Sequence, residues 1–143
     1  MSTHIQFNGK AKFLDGESRK KIRSILVSHA HTNRYDISSL SYVFVDDQYL
    51  LELNQKNLNH DTYTDIITFD LSDQEGIIDG EIYISIDRVK ENAKIFNVAF
   101  ITELIRVVAH GYLHLIGFKD KTSAQKEEMR KQEEYFIRQF EII

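Results

Sequence analysis

His110-Gly-Tyr-Leu-His114-Leu-Ile-Gly117-Phe-Lys-Asp120 closes the most strongly patterned stretch of this chain. Upstream of it and through it, Ile101, Leu104, Ile105, Val108, Tyr112 and Leu115 recur at helical spacing, which predicts a buried helix over residues 99–116. Gly117 supplies the stop, because glycine accepts the left-handed turn that commonly ends a helix. Positions three, four and seven apart share a helix face, so His110 and His114 point the same way, with Arg106 and Glu103 one and two turns below. Three residues past the glycine, the Asp120 carboxylate can swing back towards the imidazoles. That is the layout of a three-ligand metal site, His110, His114 and Asp120, with one open position.

The chain has no cysteine, so disulfides and thiolate zinc sites are excluded and any metal must sit on His, Asp or Glu. Zinc suits two imidazoles and a carboxylate, and one ion per chain would keep a fourth position for water. The spacing H-x-x-x-H-x-x-G-x-x-D is that of the metzincin zinc helix. Zinc peptidases place a glutamate directly after the first histidine as general base, whereas this chain has Gly111, which accepts no proton. A peptidase reading is therefore disfavoured. Glycine inside a helix also costs about 1 kcal/mol, so a ligand or another element must come close to the backbone there.

Working outward, 143 residues predict one domain, residues 1–143, large enough to bury a real core. No run of 18 apolar residues is present, and the first residues lack the basic and apolar regions of a secretory signal. A cytoplasmic protein without a membrane partner is expected. The net charge of −4 argues against indiscriminate nucleic-acid binding by the average surface. Lys10, Lys12, Arg19, Lys20, Lys21 and Arg23 nevertheless crowd the first two dozen residues, as either a basic patch or a solvated helix face.

Elsewhere the pattern alternates strands and helices. His4–Asn8, Ser41–Val45, Thr64–Phe69 and Gly80–Ile86 read as strands. Residues 17 to about 31 read as a helix on Ile22, Ile25 and Leu26, a spacing His29 can continue, with His29 and His31 read as surface or helix-end residues rather than ligands. Asp46 or Asp47 caps a helix striped by Tyr49, Leu50 and Leu53, before a polar loop from Asn54 to Asp61. Asp87 caps a helix to about Asn97, with Val89, Ala93 and Ile95 or Phe96 inward. A last helix opens at Ser123, with Glu127 behind it, and turns Met129, Phe136, Ile137 and Phe140 to the core. The fold class is α+β: a mixed sheet of about four strands with helices packed on it and the metal site on a central helix.

These residues resemble the YbeY endoribonucleases, or rRNA maturation factors, whose metal motif is H-G-x-L-H-L-x-G-[YF]-D-H. The likeness extends to Asn54, Asp61 and Thr64-Asp-Ile-Ile-Thr-Phe69 against N…D-x-P-T-D-V-L-S-F, and to Gly80-Glu-Ile-Tyr-Ile-Ser against G-D-I-x-I-S. Met129 and Glu133 also fall where the family has a Met and a Glu. Four positions depart: Asp120 stands for the third histidine, Lys119 for its preceding aspartate, Leu58 for an arginine and Tyr63 for a proline. Aspartate would leave the site near +1 instead of +2, acidifying water less and letting a harder ion such as manganese compete.

The resemblance implies a metal-dependent, single-strand-specific endoribonuclease acting on ribosomal RNA and ribosomal particles, in maturing the 16S rRNA 3′ end and in ribosome quality control. It further implies catalytic roles for Arg106, His110 and His114, with a metal-held water as nucleophile and no identified general base. Arg106, Lys119, Lys121, His60 and Asp65 are the candidates for lining its cleft. A metallohydrolase of another substrate and a non-catalytic, metal-stabilised assembly factor are the alternatives.

Overall fold

A computed structural model of the chain describes residues 4–58 and 64–143. Ile5 and Phe7, alternating with polar neighbours, make β1 (His4–Gly9). Helix α1 (Gly16–Thr32) begins where the Asp15 side chain accepts from the Ser18 N–H at 2.7 Å, and it buries Ile22, Ile25, Leu26 and Ala30. There follow β2 (Asp36–Val45), α2 (Asp47–Leu58), β3 (Ile66–Asp70), β4 (Ile77–Ser85), α3 (Ile86–Phe96), α4 (Phe100–Leu115) and α5 (Ser123–Ile142). The sheet order is β1-β2-β4-β3, with the first three parallel and β3 antiparallel at the edge.

A register shift between Ile37 and Ser39 changes the alternation of β2, so that Ile37 joins Leu40, Tyr42 and Phe44 in one core. That face of the sheet packs on α1, α4 and α5 through Leu26, Val108, Tyr112 and Phe136. The opposite face, with Val43, Val45, Ile67, Phe69 and Tyr83, lies under Leu50 and Leu53 of α2. Among the described residues, no single helix is long and apolar enough to cross a membrane.

What seats α4 is the glycine at 111. A Cβ there would stand 2.9 Å from Ile66 Cδ1 and from both Ile82 Cδ1 and Ile82 Cγ2. The close approach inferred from a glycine in mid-helix is thus made by β3 and β4. Further along, Gly80 leaves room for Leu115, whose Cδ1 would lie 2.8 Å from an added Cβ. The helix is drawn onto the edge of the sheet, with its polar His110 and His114 face overhanging β3.

Several local expectations are corrected. Helix α2 runs through Asn54 to Leu58, and Asn54 is 3% exposed rather than part of a polar loop. Asp46 caps it, accepting from the Tyr49 N–H at 2.8 Å. The cap of α3 is Ser85, not Asp87, because Ser85 Oγ accepts from the Arg88 N–H while Asp87 instead takes the Asp47 N–H. Ile95 and Phe96 are exposed, since the stripe of Val89 and Ala93 already faces α4 and the helix ends at left-handed Asn97. Helix α5 opens at Ser123 as expected, but its cap is Thr122, in a capping box with Gln125 rather than Glu127. His29 is half-buried, with Nδ1 2.8 Å from the Tyr112 hydroxyl, so it serves as a core-edge residue of α1.

Candidate metal centre

The C-terminus of α4 ends as its sequence predicts. Gly117 takes φ 103°, its N–H reaches the His114 carbonyl at 3.1 Å, and the Phe118 N–H reaches Leu113 at 3.0 Å. This reversal returns Asp120 over the helix. His110 Nε2 and His114 Nε2 lie 3.0 Å apart, and Asp120 Oδ2 lies 3.3 Å from the first and 3.5 Å from the second. Bonds of about 2.0–2.2 Å to a tetrahedral ion require donor separations of about 3.3–3.6 Å. Two of the three edges meet that requirement within 0.1 Å and the third is slightly short, so these residues could hold a metal ion.

The ring of His110 is oriented from α5. Its Nδ1 lies 2.7 Å from Glu133 Oε2, and a carboxylate can only accept, so Nδ1 carries the hydrogen and the Nε2 lone pair faces Asp120. Burial works against a charge on His110, but the Glu133 hydrogen bond and the carboxylates of Glu133, Asp120 and Asp65 outweigh it and raise its pKa. A cation must displace that proton, so occupancy falls as the medium is acidified.

One turn below, Arg106 binds carboxylates. Its Nε donates to Glu103 at 3.2 Å, Nη1 to Glu133 at 3.4 Å and Nη2 to Glu134 at 3.5 Å. Glu103 is 2% exposed and Glu133 6%. For Glu103, burial raises the carboxyl pKa and Arg106 pulls it back, with a net rise.

A cleft of about 770 Å³ opens beside the triad, walled by β3 residues and by His110, His114, Asp120 and Lys121. Asp65 stands on the wall at the entrance to β3; burial pushes its carboxyl pKa up, against the His110 charge that lowers it. Lys119 is exposed on the loop. His60, Asp61 and Tyr63 lie outside the described residues, as does the side chain of Leu58. The N-terminal cations lie elsewhere: Arg19 and Arg23 donate to carbonyls of Leu14, Ala11 and Ile5 and lie over the Phe7 ring of β1, at the sheet edge opposite β3. Spacing alone missed the orienting role of Glu133. Its signal was a carboxylate in the Met129, Phe136 and Ile137 stripe of a helix otherwise apolar on that face.

The chain matches the family Endoribonuclease YbeY over residues 4–141. An endoribonuclease YbeY of Flavobacterium psychrophilum is 52% identical over 138 residues, 96% of this chain and 97% of that one. That of Flavobacterium johnsoniae is 43% identical over 141 residues, covering 96% and 98%. A Thermotoga maritima protein known by its solution structure is similar at a TM-score of 0.68 and 28% identity, over 95% of this chain and 88% of that one. With the family matched over residues 4–141 and relatives this similar along nearly the whole length, this chain belongs to the endoribonuclease YbeY family.

Proposed function

We propose that the chain is a metal-dependent endoribonuclease, with zinc held by His110, His114 and Asp120, that cleaves single-stranded ribosomal RNA. The observation that carries this reading is the triangle of donor atoms, with edges of 3.0, 3.3 and 3.5 Å, at the side of an open cleft. When bound, the ion supplies Lewis acidity, polarising a phosphoryl oxygen and acidifying water. Asp120 brings one negative charge where a third imidazole would bring none, so manganese is the natural competitor for zinc. Glu133 holds His110 in the tautomer that offers Nε2. Asp65, which lines the same cleft as Asp70, is the carboxyl whose raised pKa suits it to accept a proton, a role Gly111 cannot fill. Lys121, also on the wall, pairs with the phosphate backbone. Arg106 belongs to the same constellation through Glu133.

The same reading puts the protein in the cytoplasm, working on ribosomal particles in 16S rRNA 3′-end maturation and ribosome quality control. Two measurements test it. Metal analysis of purified protein should find about one ion per chain, lost in His114→Ala; a metal-free wild type refutes the site. Cleavage of a single-stranded ribosomal RNA fragment should stop under chelation and in Asp120→Ala. Cleavage that persists in both removes the metal from the mechanism, and co-sedimentation with ribosomal particles without cleavage establishes the assembly-factor alternative instead.

A further inference from the structure

Glu133 is gripped through both carboxylate oxygens. Oε2 takes the His110 Nδ1–H at 2.7 Å, and Oε1 takes the Arg106 guanidinium at 3.4 Å. The two grips come from the same face of α4, one turn apart, while Glu133 itself comes from α5, 23 residues later than His110. A glutamate side chain has three rotatable bonds, and one hydrogen bond to an imidazole does not define its direction. The second grip does.

The surroundings of Arg106 also decide what it is not. All three guanidinium nitrogens are committed to carboxylates, those of Glu103, Glu133 and Glu134, and the side chain is 22% exposed. One positive charge thus faces three negative ones. A phosphate approaching this group would find only the two N–H hydrogens left over from those three bonds and would meet a locally negative field, so Arg106 is badly placed to hold an RNA backbone.

We propose that Arg106 is a positioning residue that acts through Glu133: it clamps the carboxylate that sets the direction and tautomer of His110, and so tunes metal affinity without touching RNA. The inference rests on the metal reading above. The arrangement extends the usual pairing of a ligating histidine with a carboxylate by one more member, a cation that fixes the carboxylate.

A double-mutant cycle on the full chain tests it, with zinc ions alone as the probe, titrated into chelator-stripped protein against a chromophoric competitor. Circular dichroism confirms that each variant is folded at the titration temperature. Glu133→Gln should weaken zinc binding about 10- to 100-fold, the range for loss of such an outer partner, and Arg106→Met about tenfold. The double variant should bind no more weakly than Glu133→Gln, because the arginine has lost the carboxylate through which it acts. In nitrogen-15 spectra of the zinc-free protein, the protected His110 Nδ1–H signal should be present in the wild type and lost in Arg106→Met. If Arg106→Met does not fold, Arg106→Lys replaces it, since the lysine ammonium keeps the charge but lacks the planar fork that fixes the Glu133 carboxylate. Wild-type zinc affinity in the arginine variant overturns the proposal, as does a double variant whose losses simply multiply. A wild type that binds no zinc overturns the metal reading itself, so the two failures are distinct.

Discussion

Gly111→Ala is the substitution whose sign the structure settles. On an exposed helix the change is stabilising by about 1 kcal/mol, because glycine gives up more backbone freedom on folding. Here the new Cβ would stand 2.9 Å from three carbon atoms, where ordinary contact begins near 3.4 Å. Two of those atoms belong to Ile82, which is 0% exposed, and its Cγ2 is bonded directly to Cβ and moves only if χ1 or the strand moves. Overpacking a rigid site costs about 1–3 kcal/mol, and contacts on two strands place this case at the upper end. Less the helix-propensity gain, the net is a destabilisation of about 1–2 kcal/mol, or roughly 3–8 °C in Tm for a chain of this size. Urea and thermal unfolding of the metal-free protein read it directly. Gly16→Ala is the control, since an added Cβ at this exposed first residue of α1 meets nothing within 4 Å and the change should be neutral or stabilising by up to about 1 kcal/mol. To the extent that α4 relieves the contact by lifting, it carries His110 and His114 away from the sheet, so zinc binding at the proposed site should weaken as well. A Gly111→Ala protein as stable as the wild type would refute the claim that this glycine seats the helix.

Three further outcomes follow from other contacts. The Tyr42 hydroxyl donates to the Val108 carbonyl at 2.9 Å in a fully buried site, so Tyr42→Phe should cost about 1 kcal/mol in chemical denaturation. Thr122→Ala removes the side-chain half of the α5 capping box and should cost a similar ~1 kcal/mol, read from the same experiment. His29 tests a pH effect: burial lowers its pKa, against a weaker raising contact from Gln132, so the unfolded chain binds the proton more readily than the folded one. Its contribution is present above the unfolded value of about 6.5 and is lost as pH falls below it. His29→Gln should therefore show a smaller drop in urea midpoint between pH 7.5 and pH 5 than the wild type.

Much of the candidate site was legible because its geometry is local. The shared face of His110 and His114 follows from a four-residue helical spacing, and the return of Asp120 follows from a glycine that can take a left-handed φ at 117. The strands were legible in kind, from β-branched and aromatic alternation, but their ends were not. β2 begins at Asp36 because its pairing with β4 continues past the β1 pairing through a register shift that no local pattern announces.

What the sequence by itself determined is the helix, its stop and the donor types, because each depends on residues close together in the chain, and the likeness to a family, because its motifs recur at matching spacings. The tertiary structure alone decided which element meets which face. It set Gly111 against Ile66 and Ile82, brought Glu133 across from α5 to orient His110, and surrounded Arg106 with three carboxylates. It also left Ile95 and Phe96 exposed and placed Arg19 and Arg23 at the β1 edge of the sheet, opposite the β3 edge where the candidate site lies. Spacing fixes a side chain's direction only in the frame of its own helix or strand. Its neighbour there is chosen by the packing of distant segments, and in this protein that packing converts a pair of histidines into an oriented site.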